Sequence, residues 1–174
     1  GRLQLQGVND LQLVGKALAF QMNRTSVDQG KVLDWKQSAL ADTGVGLSTT
    51  DPTFRISGSG GLGIAQVAYG SATVEITQST LSTVVDPSIG TSGAVMTGDL
   101  MTIRISNARL YLGTGASLNV SPGDAFGTVT LPASNDPEAI GFSVDNGAMN
   151  LGVFTTGSGT SLRKYVGLKA TLGK

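Results

Sequence analysis

The stretch Ile-Arg-Ile-Ser-Asn-Ala-Arg-Leu-Tyr-Leu-Gly, from Ile103 to Gly113, sets the pattern on which this chain is built. The stretch from Phe142 to Gly152 repeats it, with apolar residues at the first, third and eighth places, Asn at the fifth and Leu-Gly at the end. Phe54 to Gly58 opens in the same way. Apolar residues at alternate positions are typical of β-strands. The sequence therefore predicts that one kind of strand is used repeatedly.

Composition supports an all-β protein. The 174 residues include 25 glycines, and Ser and Thr are abundant, so turn formers and β-branched residues outweigh helix formers. This length suits one domain with a core, and we expect residues 1–174 to form a single β module. Twelve basic residues balance twelve acidic ones. A nucleic-acid partner is not expected, because binding phosphates needs a basic surface.

The chain contains neither Cys nor His. Disulfides, thiolate nucleophiles, zinc sites and a serine-histidine-aspartate triad within this chain are therefore excluded. Asp and Glu are too scattered to nominate a catalytic pair, so we do not expect an enzyme. No apolar run approaches the length of a membrane span. The chain begins at Gly1 without an initiator methionine, and we expect a segment of a longer protein or a mature fragment.

Alternating apolar residues predict about ten strands and almost no helix. A change of face within Leu11 to Met22 predicts a bulge near Gly15, and Asn107 is predicted to take a left-handed conformation at a second bulge. Gly70-Ser71 is predicted to be a turn. Val32 to Leu40 fits a strand end or a helical turn, and we favour the strand.

In Ile103 to Leu112 the aliphatic side chains are predicted to face inward and Arg104 and Arg109 outward. Short strands at this spacing form an elongated sheet, a sandwich or a solenoid-like repeat module whose edges pair with neighbouring units.

Several loops carry acidic residues that could bind calcium, which takes six to eight oxygen ligands. The candidates are Asp124, Asp136, Glu138 and Asp145. No EF-hand spacing and no calcium-binding nonapeptide is present, and Asp and Asn also form ordinary turns with their own backbone. A calcium ion is thus the one cofactor that the sequence leaves open.

Four other motifs have a functional and a structural interpretation. Gly58 to Gly63 fits G-x-G-x-x-G, but a strand pattern follows it where a dinucleotide site needs a helix. Ser161 to Lys164 fits S-x-x-K, but not on a helix. Asn23-Arg24-Thr25 and Asn119-Val120-Ser121 are glycosylation sequons. Trp35 and Tyr165 could line a carbohydrate-binding surface or simply pack within the fold.

Read from its C-terminal part into its N-terminal part, the chain resembles the repeat units of giant bacterial surface or adhesin-like proteins. The resemblance rests on Phe142 to Phe154 and Lys164 to Gly173, followed by Leu5 to Leu13, Lys31 to Trp35 and Phe54 to Ser59. It implies one period of a tandem array outside the cell or on its surface. Its loops depart from the pattern of those units, so the resemblance implies no ligand site.

Two functions follow as expectations. The first is a structural β-repeat module that builds or spaces a fibre or adhesin by pairing strands with copies of itself or adjacent repeats. The alternative is a β-sandwich module that binds a carbohydrate or another partner.

Overall fold

The computed structural model describes residues 2–5, 11–26, 32–86, 94–121, 123, 125–133, 135–157 and 159–173. These residues are mostly β-strand, which confirms the predicted all-β class. Nine strands are present in the described part of the chain: β1 (Arg2–Leu5), β2 (Leu11–Met22), β3 (Phe54–Ile64), β4 (Ala68–Asp86), β5 (Ala94–Gly113), β6 (Ser117–Leu118), β7 (Val129–Thr130), β8 (Gly141–Thr156) and β9 (Arg163–Thr171). Short 3₁₀ helices span Ser38–Thr43 and Gly159–Ser161.

Seven strands form one antiparallel sheet in the order β1-β2-β3-β4-β5-β8-β9. Neighbours in the sheet follow one another along the chain, apart from the excursion between β5 and β8. That excursion contains β6 and β7, which pair as a separate two-stranded unit. The described residues thus form an open, elongated main sheet with a small β6–β7 unit upon it.

The turn between β3 and β4 lies at Ala65 and Gln66, so the predicted turn at Gly70-Ser71 is wrong. Gly70 is paired with Leu62 on one side and Leu110 on the other, within the sheet. Ala65 and Gln66 have φ of 49° and 57°, although neither is a usual turn residue. The run from Phe54 to Asp86 is therefore a single long hairpin.

Three strands contain a bulge at a residue with a left-handed backbone. Asn107 in β5 has φ of 53°, which confirms the prediction, and the register of β5 and β8 shifts between Ile105 and Ala108. Asn146, at the same place of the second copy of the pattern, has φ of 55°. In β2 the bulge lies at Ala17 and not at Gly15.

The buried core lies where the β6–β7 unit packs on one face of the sheet. Val14, Tyr69 and Tyr111 from the sheet meet Leu118, Phe126 and Val129. Gly61 provides the room for this contact: a Cβ there would collide with Leu118 Cδ1 and would lie 2.7 Å from the Gly127 carbonyl oxygen. The glycines of β3 therefore let the β6–β7 unit approach the sheet closely.

The two faces of the main sheet differ in chemistry. We call the face that carries the core and the side chains of Glu75 and Arg104 the polar face, and the other the apolar face. Paired residues share a face, so Phe20, Ile56, Ile76, Ile103, Leu151 and Leu168 form one row across the apolar face. The alternation predicted for Ile103 to Leu112 is present, but Leu110 and Leu112 are 43% and 48% exposed. The prediction that they face the core is wrong, because the β6–β7 unit covers the other face.

Val32 to Leu40 forms turns followed by the first 3₁₀ helix, so the favoured strand is wrong. Asn23 organises this region from a buried position. Its Nδ2 donates to the Leu33 carbonyl at 2.9 Å, and its Oδ1 accepts from Trp35 Nε1 at 3.1 Å. These hydrogen bonds replace the ladder that a strand would have formed.

Candidate functional site

The polar face carries a row of charged and amide groups across four strands. Glu75 on β4 lies between two guanidinium groups: Arg55 Nη2 on β3 donates to its Oε2, and Arg104 Nη1 on β5 lies 3.9 Å from its Oε1. Arg104 Nε also donates to Asn150 Oδ1 on β8 at 3.3 Å. Lys169 on β9 pairs with Asn150 and continues the row. Side chains directly opposite in an antiparallel sheet interact in this way.

Beside this row lies a shallow groove of about 600 Å³. Its floor includes Gly152 and Gly167, which are paired across β8 and β9 and have no side chains to fill the space. Arg104, Asn150 and Lys169 line one side, and Leu100 lines the other. The groove is an open depression in the sheet that presents cationic and amide groups.

An aromatic pair lies on the polar face in the same cross-strand row as Leu100. Phe154 and Tyr165 have ring centroids 6.1 Å apart, and Phe154 is buried. The Tyr165 hydroxyl donates to Asp86 Oδ2 at 2.6 Å. This bond ties β9 to the end of β4, three strands away in the sheet. Tyr165 was a candidate for carbohydrate contact, and the structure gives it this tethering contact.

Trp35, the other aromatic candidate, does not line the groove. It lies in the loop after β2, where its side chain bonds to Asn23. It is half-buried, and its indole nitrogen already donates to Asn23. The Asn23 side chain is 3% exposed and fully engaged in hydrogen bonds. The sequon at Asn23 is consequently inaccessible in the folded chain.

Asp145, a calcium candidate, forms a bidentate ion pair with Arg109. Arg109 Nε and Nη2 lie 2.8 Å and 3.0 Å from Asp145 Oδ1 and Oδ2. Arg109 Nη1 donates to the Val129 carbonyl at 2.8 Å, so this side chain joins β5, β8 and β7. The hydrogen bond from Arg109 lowers the pKa of Asp145, opposed by partial burial. A guanidinium in this place repels a cation, and the geometry is that of a structural anchor.

The described calcium candidates Asp136 and Glu138 form no metal-binding group with Asp145. Asp136 Oδ1 accepts from the Glu138 amide at 3.0 Å, which is an ordinary turn within its own loop. Asp124 lies outside the described residues. Within the described ranges, no three acidic side chains gather where they could hold a metal ion.

The two catalytic-looking motifs have structural positions. Gly58 to Gly63 lies in the middle of β3, paired on both sides, and no helix follows it. Ser161 ends a three-residue 3₁₀ helix and Lys164 lies on β9, so S-x-x-K is not on a continuous helix. Both positions agree with the structural interpretation of these motifs.

Both edges of the sheet offer backbone groups. β9 pairs with β8 on one side, and no described strand lies on its other side. At the opposite edge, β1 pairs with Leu13 to Lys16 of β2, whereas Ala19 to Met22 pair with β3 alone among the described strands. Such edges can pair with another chain.

Sequence reasoning missed the groups that organise the polar face. Glu75 alternates with Val74 and Ile76 in the sequence, which indicates only the polar side of a strand, yet the structure holds it between two arginines. The signal for it was available, because Arg55, Glu75 and Arg104 fall on alternate positions of three successive strands. Nothing in the sequence around Asp86 indicates its bond to Tyr165, 79 residues away.

The chain matches no known family model, and comparisons with curated proteins and with solved structures found no match. In the described part of the chain, no helix is long and apolar enough to cross a membrane.

Proposed function

We propose that this chain is a structural β module that builds or spaces a fibre or long adhesin by pairing its edge strands with neighbouring copies. The observation that supports it is the pair of complementary open edges. Among the described strands, none lies beside the outer side of the nine-residue β9, and β1 does not reach Ala19 to Met22 of β2.

Strand direction supports the same proposal. All neighbours in the sheet are antiparallel, so the first and last of seven strands, β1 and β9, run in the same direction. A neighbour's β9 placed against the uncovered part of β2 is therefore antiparallel to it, in line with β1. This is the ordinary ladder of the rest of the sheet. A resemblance to bacterial repeat units is what supports a location outside the cell or on its surface.

Electron microscopy of the purified chain, by negative stain and with or without a calcium chelator, tests assembly directly. We expect fibres or rods. Their loss on chelation would support a bound calcium ion. A dispersed monomer would contradict self-assembly by this chain and would mean that Lys164 and Lys169 protect the β9 edge, as edge lysines do in other sheets.

Cross-linking tests which edges meet, and the absence of native Cys makes each new thiol unique. Gln21→Cys is mixed in turn with Gly167→Cys, Lys169→Cys and Thr171→Cys, which cover three registers on one face of β9. We expect one mixture to form a disulfide dimer on oxidation, and neither partner alone to do so. Thr77→Cys, in the centre of the same face, is the matched control and stays uncoupled.

A second function, binding a carbohydrate or another partner, is favoured by the groove over Gly152 and Gly167. Its cationic and amide lining suits an acidic polysaccharide. Titration with such a polysaccharide, followed by calorimetry, is expected to show binding that Lys169→Ala weakens and Lys36→Ala, outside the groove, leaves unchanged. Equal binding by both variants would contradict this function.

A further inference from the structure

The apolar face of the main sheet has aliphatic and aromatic residues in register across its whole width. The row from Phe20 to Leu168 crosses six strands. A second row pairs Leu13, Leu62, Gly70, Leu110 and Val144, and a third pairs Leu11, Ile64, Ala68, Leu112 and Phe142. No charged residue stands in these three rows.

No described strand packs on these three rows; the Arg24 guanidinium lies on the same face, 5.9 Å from the centroid of the Phe54 ring, outside the three rows. Phe20 and Leu168 are each 65% exposed, and Phe142 is 62% exposed. The chain's own covering element, the β6–β7 unit, is packed on the polar face instead. A single exposed leucine needs no explanation, but contiguous exposed apolar rows of this size mark an interaction surface.

The chain exposes more surface than a compact protein of its mass. The chain exposes 11,581 Å², whereas a compact protein of its mass exposes roughly 8,000 Å². A standard protein interface buries about 800 Å² on each partner. This excess of several thousand Å² is spread over the whole chain, and it is large enough to include an interface of standard size through one face.

We propose that the apolar face is covered by the same face of a second copy of this chain, so that two sheets form a β-sandwich. A flat face six strands wide needs a partner sheet of similar width, and the chain itself supplies one. The twelve basic and twelve acidic residues balance, so two copies carry no net charge that would make them repel each other. The Asp99 and Lys164 row at one end of the face provides a polar rim.

This contact is isologous and differs from the pairing of edges. In a two-fold contact, a residue near the centre of the face meets its own copy. Ile76 lies on β4, the central strand of the sheet, and Thr77 follows it on the polar face. The proposal therefore stands or falls independently of the open edges.

In analytical ultracentrifugation the smallest wild-type species is expected to be a dimer, twice the 17.7 kDa mass, from which fibres grow by edge pairing. Leu110→Lys and Ile56→Thr change side chains that are already 43% and 41% exposed, so each chain keeps its strand content in circular dichroism. We expect both variants to shift the dimer toward monomer by at least tenfold in dissociation constant. Arg104→Gln, on the polar face, is expected to leave it unchanged.

Oxidative cross-linking gives a second measurement that does not depend on those variants. Ile76→Cys alone is expected to form a covalent dimer, and Thr77→Cys is not. A folded wild-type monomer at 100 µM, or a dimer that Leu110→Lys and Ile56→Thr both leave intact, would overturn the proposal. Cross-links confined to the mixtures of edge variants would support edge pairing and overturn face pairing.

Discussion

Asn107 and Asn146 occupy the same place in two copies of one pattern, and both have a left-handed backbone. A non-glycine residue in that conformation is unfavourable for most side chains, and Asn tolerates it because its amide bonds locally. Both β5 and β8 therefore have Asn at the bulge residue that takes a positive φ. Their bulges lie side by side, where β5 and β8 change register.

The left-handed conformation predicts how substitutions at Asn107 act. Asn107→Val is expected to lower the free energy of unfolding by about 1–2 kcal/mol, because a β-branched residue is costly there. Asn107→Gly is expected to change it by only a few tenths. Urea unfolding measures both. Ser143→Val is the control, since Ser143 is an exposed residue of β8 with no positive φ, and an equal loss in the control would contradict this explanation.

The ion pair between Asp145 and Arg109 is expected to make the stability of the protein depend on pH. Its pKa is lowered in the folded chain by the hydrogen bond from Arg109, so its contribution is present above the pKa of the unfolded chain. That contribution is lost as pH falls below about 4. Asp145→Asn is expected to cost on the order of 1 kcal/mol at pH 7 and to flatten the loss of stability in acid.

Thermal unfolding between pH 2.5 and 7 measures this effect. Glu138→Gln, an exposed carboxylate in the neighbouring loop, is the control and is expected to keep the wild-type profile. If Asp145→Asn loses stability in acid as steeply as the wild type, Arg109 does not hold the carboxylate as described.

At the scale of elements, local patterns predicted the strands better than the turns. The second copy of the repeated pattern begins at Phe142, one residue after the N-terminal bound of β8, because period two is a local property. The turn at Ala65 and Gln66 was missed because neither residue favours positive φ, while Gly70-Ser71 looked like a turn and lies inside β4. Arg109 likewise looked solvated, since its partners Asp145 and Val129 are brought to it only by the folded topology.

Substitution of two residues in the β3–β4 turn is expected to stabilise the protein. Its two central residues have positive φ, the arrangement in which hairpins prefer Asn-Gly. The double substitution Ala65→Asn and Gln66→Gly is expected to raise the free energy of unfolding by about 1 kcal/mol. Urea denaturation measures it. The control is the same pair placed within β4, as Gly70→Asn and Ser71→Gly, which is expected to lower the free energy of unfolding. If this control stabilised the protein and the substitution at Ala65 and Gln66 destabilised it, the turn would lie at Gly70-Ser71, as the sequence predicts.

Because the β6–β7 unit lies close to Gly61, alanine substitutions at Gly61 and Gly167 are expected to change the free energy of unfolding very differently. Gly61→Ala is expected to destabilise by about 2 kcal/mol or more, because its Cβ would meet Leu118 and the Gly127 backbone. Gly167→Ala meets nothing within 4 Å, and we expect it to be neutral or slightly stabilising. Chemical unfolding compares the two. Similar losses in both would mean that β6–β7 does not rest on Gly61.

At the scale of the whole molecule, one sheet presents three surfaces on which no described strand packs: two edges and one face. The edges offer backbone hydrogen bonds, whereas the face offers apolar area. Pairing along the edges extends the sheet in its own plane, and pairing through the face doubles it. Both together would give a two-layer ribbon that buries the apolar rows and leaves the polar face outside on each layer.

Hydrogen exchange separates these contacts, because amide protection reports backbone pairing and not side-chain burial alone. If edges pair, the outward-pointing amides of Ala19 to Met22 and of β9, which are every second residue, are expected to exchange at least tenfold more slowly when the chain is raised from 1 to 100 µM. If only the faces pair, these edge amides keep their rates while the mass doubles, since their N–H groups gain no acceptor. Amides of β4, which are paired on both sides in either case, serve as the internal reference. Unchanged edge exchange together with an unchanged mass would contradict both modes of assembly.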